Sequence, residues 1–314
     1  MRRRKGLPIN GWINLDKPVG RTSTQAIGRV RRLTGAARIG HAGTLDPLAS
    51  GVLPIALGEA TKTVPYIQDA RKIYRFTVRW GEATATDDME GEIVSASDRR
   101  PSFAEIQMVL PRFTGAILQT PPTFSAIKIG GERAYDLARA GTPAEMTPRL
   151  IDILRLEIVE SPDADHALFE VETGKGAYVR ALARDMAVAL GTFGHISALK
   201  RIAVGRFRLE DAVSLDFDAV SSDKHPLTEH VLPIETALDD IPALALTADE
   251  AQRLRSGQSV GLFTHHHRNW LADFIAQGRE PGIALALWQG QAVAMVRIDK
   301  AEAKPVRVFN FEPL

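Results

Sequence analysis

The 314-residue sequence contains no cysteine. That absence excludes disulfide scaffolds, thiolate metal centres and cysteine nucleophiles, and it is compatible with a reducing cytosol. No apolar run approaches the roughly 20 residues that span a bilayer. The basic start Arg2-Arg3-Arg4-Lys5 leads into Gly6-Leu7-Pro8-Ile9-Asn10 rather than an apolar segment, which argues against a signal peptide. Also missing are a Walker phosphate loop, a dinucleotide-binding glycine fingerprint and a His-Glu-x-x-His zinc helix. The run His265-His266-His267 lacks the spacing that puts ligands on one helix face, so it reads as loop rather than metal site. Neither cofactor nor metal is expected. Net charge is small too, at +1.

What is present is an average globular composition, 45% hydrophobic and 25% charged, which excludes a disordered or fibrous chain. The length predicts two domains, because single cores seldom grow past about 250 residues. The small net charge hides an uneven distribution. Residues 1–38 hold ten basic residues against Asp16, and residues 171–208 hold seven against Glu172 and Asp185. Residues 209–252 then carry eleven acids against Lys224. This pattern raises the expectation of a polyanion partner, with the cations lining one face and the acids away from it.

Periodicity predicts strands over 11–15, 72–80, 150–159, 166–173 and 196–208, with a buried apolar run at 52–57 broken by Pro54. Helices are predicted after Thr22 or Ser23 up to Gly35, from the Ser102/Glu105 capping pair to about Gly115, over 132–140 and around 178–190. Residues 40–51 read as glycine-rich loop. From about Leu246 a small, mostly-β unit begins, with a helix over 248–255 and strands near 283–288, 291–298 and 305–311; residues 264–282 look like an insertion in it. Helices and strands mix without regular alternation, which predicts an α+β class. The domains are therefore placed at 1–245 and 246–314, with a basic tail at 1–8 and an acidic linker region at about 209–245.

One segment stands out: Gly40-His41-Ala42-Gly43-Thr44-Leu45-Asp46-Pro47-Leu48-Ala49-Ser50-Gly51. Pro47 keeps Asp46 out of helical dihedrals, and the glycines allow another backbone or a ligand to approach closely. A carboxylate on a rigid loop suits nucleophilic or electrostatic work at a sugar carbon. An ordinary Asp-Pro turn explains the same residues. His41 either meets a phosphate or base or packs in the loop. Tyr74 lies in an alternating strand, where core packing is the usual role. Tyr178 and Arg180 open a helix where two cations could meet phosphate, or where charges are simply solvated. A glycosidase would want two paired carboxylates flanking the bond; the loop supplies one, and the sequence places no second.

The run Gly40 to Pro54 closely resembles the signature of the TruB-type tRNA pseudouridine synthases. Asp16-Lys17-Pro18-Val19-Gly20-Arg21-Thr22-Ser23, Gly58-Glu59-Ala60-Thr61-Lys62 and Lys72-Ile73-Tyr74 agree with it in order and spacing. So do Gln119-Thr120-Pro121-Pro122-Thr123-Phe124-Ser125-Ala126-Ile127-Lys128, Gly176-Ala177-Tyr178-Val179-Arg180 and Leu199-Lys200-Arg201. The likeness covers about residues 8–210. More loosely, the C-terminal part is similar to a PUA-type RNA-binding module, Val306-Arg307-Val308-Phe309-Asn310 being its best marker. One departure is Ala85, in Thr84-Ala85-Thr86-Asp87-Asp88, where family members commonly show Asp.

The resemblance implies a mixed and antiparallel-sheet catalytic domain that isomerises the uridine at position 55 of the tRNA T-loop in the cytoplasm. It implies no cofactor, membrane or obligatory protein partner; the T-stem-loop is the expected partner. Asp46 would be the catalytic carboxylate, Arg180 its pair, and Tyr74 the aromatic that stacks on the target base, a candidate base in the sugar chemistry. Tyr178 would line the pocket and Leu199 would pack at the base. His41 would fill the place of the flipped nucleotide. Lys17 and Lys128 transfer as structural or RNA-contacting cations. Competing readings are a non-catalytic RNA-binding or RNA-folding protein and a nucleoside hydrolase or base-exchanging glycosylase.

Overall fold

Alternating apolar residues from Ile73 to Trp80 form a strand at the centre of a ten-stranded sheet. The computed structural model describes residues 6–125, 127–142, 144–217 and 227–311. The first five residues of the basic tail, Ala126 of the quoted motif and residues 218–226 of the acidic stretch lie outside the described residues. In chain order the elements are β1 (Gly11–Lys17), α1 (Ser23–Thr34), β2 (Ile39–His41), β3 (Ala49–Leu57), α2 (Val64–Asp69), β4 (Lys72–Trp80), β5 (Glu82–Thr84) and β6 (Ile93–Ala96). They continue with α3 (Phe103–Val109), β7 (Gly115–Gln119), β8 (Lys128–Ile129), β9 (Glu132–Arg133), α4 (Ala134–Arg139), β10 (Arg149–Glu160), β11 (His166–Thr173), α5 (Val179–Ala189), β12 (Gly194–Val204), β13 (Phe207–Arg208) and β14 (Val213–Ser214). The C-terminal part holds β15 (Ala243–Ala245), α6 (Ala248–Arg255), β16 (Val260–Gly261), α7 (His265–Ala276), β17 (Gly282–Trp288), β18 (Gln291–Asp299) and β19 (Glu302–Val308).

The main sheet runs β14-β1-β3-β12-β4-β11-β10-β7, with β2 on β3 and β13 on β12. Most neighbours are antiparallel, but β3 with β12 and β1 with β14 are parallel. This is the mixed α+β architecture that the sequence implies. The β3–β12 pairing matters most, because it sets Leu199, Lys200 and Arg201 against Ala49, Ser50 and Gly51, at the foot of the Asp46 loop. Gly51 is required there: it has a positive φ of 99°, and an added Cβ would lie 2.2 Å from the Arg201 carbonyl oxygen. Pro54 does not break β3. Its carbonyl accepts Ala42 N–H, so its nitrogen faces the same side, between the stretch paired with β12 and the stretch paired with β2.

One sheet face carries the helices. Ala26 and Val30 of α1 and Val179, Leu182 and Met186 of α5 join Phe76, Val78 and Phe169 in one core. Each such large side chain contributes about 1.5–3 kcal/mol by burial. Helix α1 starts at a capping box between Thr22 and Gln25 and stops at Gly35 in the left-handed region. The opposite face of β4, β10 and β11 is wetter and carries charge pairs such as Arg75–Glu170 and Arg71–Glu172.

The second sheet runs β15-β17-β18-β19-β16. It shares a core with the first: Trp12 and Phe207 join one cluster with Leu285, Met295 and Phe309. A buried carboxylate reinforces the seam. Glu59 Oε1 accepts Arg38 Nη1 at 2.8 Å, while Oε2 accepts Lys62 Nζ and, at 2.7 Å, the Asn310 backbone N–H. Lys62 Nζ also donates to the Val308 carbonyl at 2.6 Å.

The histidine run is a correction. His265 opens α7, a helix capped by the Thr264 side chain, rather than lying in a loop. His267, Leu271 and Phe274 recur at helical spacing and bury one face, which outweighs the run's poor helical composition. Among the described residues no group of three His, Asp or Glu is arranged to hold a metal ion, and no helix is long and apolar enough to cross a membrane.

Glu59→Ala should cost about 1–3 kcal/mol, since it leaves the partly exposed Arg38 and Lys62 and the Asn310 N–H without their shared acceptor. Hydrogen exchange should show amides of 282–308 losing protection before those of β4 and β12.

Candidate active site

Asp46 sits between β2 and β3, and several backbone groups on either side of it are tied down. Ser23 Oγ donates to the Leu45 carbonyl at 3.1 Å and accepts Leu45 N–H at 2.9 Å. Gly20 N–H reaches the Pro47 carbonyl at 2.8 Å, and Ala49 N–H reaches the Asp46 carbonyl at 3.1 Å. From below, Arg201 donates to the carbonyls of Val52 at 2.8 Å and Gly43 at 3.0 Å. Leu45 and Leu48 anchor the loop in the core on either side of the carboxylate. A loop without ladder partners holds its shape by other bonds to its backbone, and here side chains from α1 and β12 supply three of them.

Arg180 comes from the first turn of α5. Its Nη2 lies 3.0 Å from Asp46 Oδ2, and the two side chains differ sharply in exposure, 7% for Arg180 and 40% for Asp46. Further contacts hold the guanidinium from behind. Nη1 donates to the Thr86 carbonyl at 2.8 Å, Nη2 to the Phe124 carbonyl at 2.9 Å, and Nε lies 3.6 Å from Asp88 Oδ2. Asp88 is itself fixed by the Thr86 hydroxyl and Glu90 N–H. The start of α5 is clamped by Gln119, which donates to the Tyr178 carbonyl at 3.1 Å and accepts Tyr178 N–H at 2.9 Å. The guanidinium is a fixed element of the wall, and the carboxylate faces outward. Such a pair can stabilise charge at an atom brought against Asp46 without moving itself.

Tyr74 pairs across the sheet with Arg201, and Leu199 with Phe76, so all four project from the same face. Tyr74 is half-buried against the core. Tyr178 lies beside Arg180 and Asp46, and burial pushes its phenol pKa up. His41 ends β2; burial, with Arg201 nearby, lowers its pKa and favours the neutral imidazole.

The two lysines expected as structural or RNA-contacting cations differ in exposure. Lys17 is fully buried and donates to the carbonyls of Pro18 at 2.8 Å and Arg21 at 2.6 Å, so it shapes the turn under the Asp46 loop. Lys128 is exposed on the β8–β9 hairpin. Arg180 and Arg201 are buried as well, so part of the 171–208 basic block is interior support rather than surface.

Four supporting residues were not singled out by the sequence as site residues: Ser23, Asp88, Gln119 and Arg201. All fall in or beside the motifs quoted, which was the available signal. The Ala85 departure leaves these contacts intact, because the loop engages Arg180 through the Thr86 carbonyl and Asp88.

Solved structures share this architecture. A chain of an H/ACA ribonucleoprotein bound to a substrate RNA containing 2′-deoxyuridine aligns with all of this chain and 92% of its own length, at 21% identity and a TM-score of 0.68. A chain of a Cbf5-Nop10-Gar1 complex aligns with all of this chain and 91% of its own, at 22% identity and a TM-score of 0.70. At that identity the likeness concerns the fold. The class follows from sequence models: residues 31–179 match the N-terminal domain of the TruB family pseudouridylate synthases, and residues 180–239 match the tRNA pseudouridylate synthase B C-terminal domain. The tRNA pseudouridine synthase B of Bradyrhizobium diazoefficiens is 51% identical over 99% of this chain and 89% of its own length. That of Rhodospirillum rubrum is also 51% identical, over 98% and 99%. The chain belongs to the TruB family of pseudouridylate synthases, and it is an enzyme.

Burial lowers the Lys17 and Lys72 pKa values from 10.5 to about 8. Below pH 8 both states carry the protons and the burial cost stands in full. Between about 8 and 10.5 the unfolded chain binds more protons, so these lysines make stability rise with pH. Urea unfolding of wild type and Lys72→Met at pH 7 and 9.5 should show a smaller rise in the variant.

Proposed function

We propose that the enzyme converts uridine to pseudouridine in the T-loop of tRNA, at position 55, with Asp46 as the catalytic carboxylate. The observation that carries this reading is the outward-facing Asp46 held by a buried, fully engaged Arg180. In the reaction the N1–C1′ bond breaks, the base turns, and C5 bonds to C1′. The C5 proton is lost and N1 ends protonated, so atoms balance with no redox partner. Asp46 meets the sugar at C1′, and two routes share this geometry: capture or stabilisation of charge at C1′, and glycal formation after loss of the C2′ proton.

A T-loop uridine must leave its stack to reach Asp46. Tyr74 then offers a ring for stacking and a candidate base, Leu199 an apolar wall, Tyr178 the pocket lining and His41 a filler for the vacated position. Residues 1–245 supply this chemistry, and 246–314 act as a PUA-like RNA-binding module. The enzyme works in the cytoplasm without an obligatory protein partner.

Purified protein and a T-stem-loop RNA should yield pseudouridine with no free uracil, and Asp46→Asn should lose at least about 10³-fold in rate. Near-wild-type product from the variant would overturn the assignment; released uracil would favour a hydrolase instead. Affinity for whole tRNA should fall steeply with salt as phosphate contacts release counterions, and a flat response would contradict an electrostatic RNA face.

A further inference from the structure

Arg184 lies one turn beyond Arg180 on α5, so both point to the same side of the helix. Its three nitrogens take three separate acceptors: Nη1 to Asp87 Oδ2 at 3.1 Å, Nη2 to the Thr120 carbonyl at 2.8 Å, and Nε to Asp185 Oδ1 at 2.9 Å. The first two acceptors belong to the two segments that also hold Arg180. The loop after β5 gives Thr86 to Arg180 and Asp87 to Arg184; the segment after β7 gives Phe124 to Arg180 and Thr120 to Arg184. Asp87 is largely buried and sits at φ 60°, in the left-handed region that is uncommon for non-glycine residues and best tolerated by Asn and Asp. Its backbone carbonyl is tied to Ile196 N–H of β12 at 3.1 Å.

We infer that Arg184, through Asp87 and the Thr120 carbonyl, is a positioning residue that fixes the spacing of the two segments flanking the Asp46–Arg180 pair. It does not touch the reacting atoms. If Arg184 releases Asp87, the loop that carries Thr86 and Asp88 keeps its backbone bonds to Ile196 of β12 but loses its side-chain tie to α5 and, through Thr120, to the segment after β7, so the spacing around Arg180 loosens. A lysine cannot replace the fork, since a single ammonium does not reach three acceptors in one plane. The inference rests on the reading of Asp46 as catalytic.

The test measures kcat, KM and pH dependence on a T-stem-loop for Arg184→Met, Arg184→Lys, Asp87→Asn and the Arg184→Met/Asp87→Asn double variant, with Asp46→Asn alongside. Asparagine tolerates the left-handed backbone at position 87, so Asp87→Asn keeps the loop's fold. Arg184→Met and Asp87→Asn should each lower kcat by about 10- to 100-fold with KM within about twofold. The double variant should be no worse than either single one, as for residues acting as a unit. Arg184→Lys should recover only part of the loss.

Burial raises the Asp87 pKa, opposed by Arg184 and Arg180 and reinforced by Asp185. Removing Arg184 removes a lowering influence, so the acid limb of activity should move to higher pH in Arg184→Met. Wild-type kcat in Arg184→Met or Arg184→Lys, additive losses in the double variant, or an effect confined to KM would overturn the inference. An active Asp46→Asn enzyme would instead overturn the catalytic reading, whatever the Arg184 variants do.

Discussion

A guanidinium buried in protein keeps its charge, so each donor must find an acceptor or the fold bears the desolvation cost. Arg180 meets that demand with two backbone carbonyls and two carboxylates drawn from three separate segments. The need is mutual: the guanidinium ties together segments that Arg184, Gln119 and Ile196 also hold from other sides. Charge-assisted bonds to carbonyls are worth more than neutral ones, and they do not compete with Asp46 for a substrate. Of the two carboxylates that Arg180 meets, Asp88 is almost fully buried and Asp46 is 40% exposed.

The same device recurs beneath the loop with Lys17 and Arg201, and at the end of α2 with Lys72. Lys17, Lys72 and Arg201 are buried, and the hydrogen bonds they make go to backbone carbonyls. Carbonyl capping fixes the chain without placing further carboxylates next to Asp46. It also concentrates positive charge under a site whose occupant, on the proposed reading, is an RNA phosphodiester backbone. Lys17 and Arg201 are close enough to influence each other, and Lys17 to feel Asp46. The cost appears as lowered lysine pKa values, a strain carried by the floor of the site rather than by its open rim.

Which features the sequence revealed follows from what leaves a local mark. Glycine and proline restrict or free the backbone, so the Asp46 loop was legible as a special conformation. Alternation marked β4, β10 and β11, and capping boxes marked α1 and α3. Backbone carbonyls carry no sequence signature, so the capping of Arg201 and Lys17 was not legible: Arg201 read as part of a basic block, and Lys17 as a structural or RNA-contacting cation. The pairing of Asp46 with Arg180 spans 134 positions and came from family likeness, not from spacing. α7 was hidden because three consecutive histidines mask the His267, Leu271 and Phe274 face. Pro54 misled in the other direction, because the gap in pairing that accommodates it is set by β2 and β12, far from it in sequence.

Exposure of Asp46 and burial of its support are two sides of one arrangement. If the carboxylate were as buried as Arg180, binding would have to expel a desolvated ion pair's neighbours before the sugar could approach. If Arg180 were as exposed as Asp46, solvent would screen the pair and the guanidinium would wander through its rotamers. On the proposed reading, with the cation fixed and the anion half open, an arriving base and ribose would displace water from one side only. The groups that face them are already placed, so little reorganisation remains for the moment of reaction, and the burden of holding that geometry falls on α5, the 84–92 loop and the 119–124 segment.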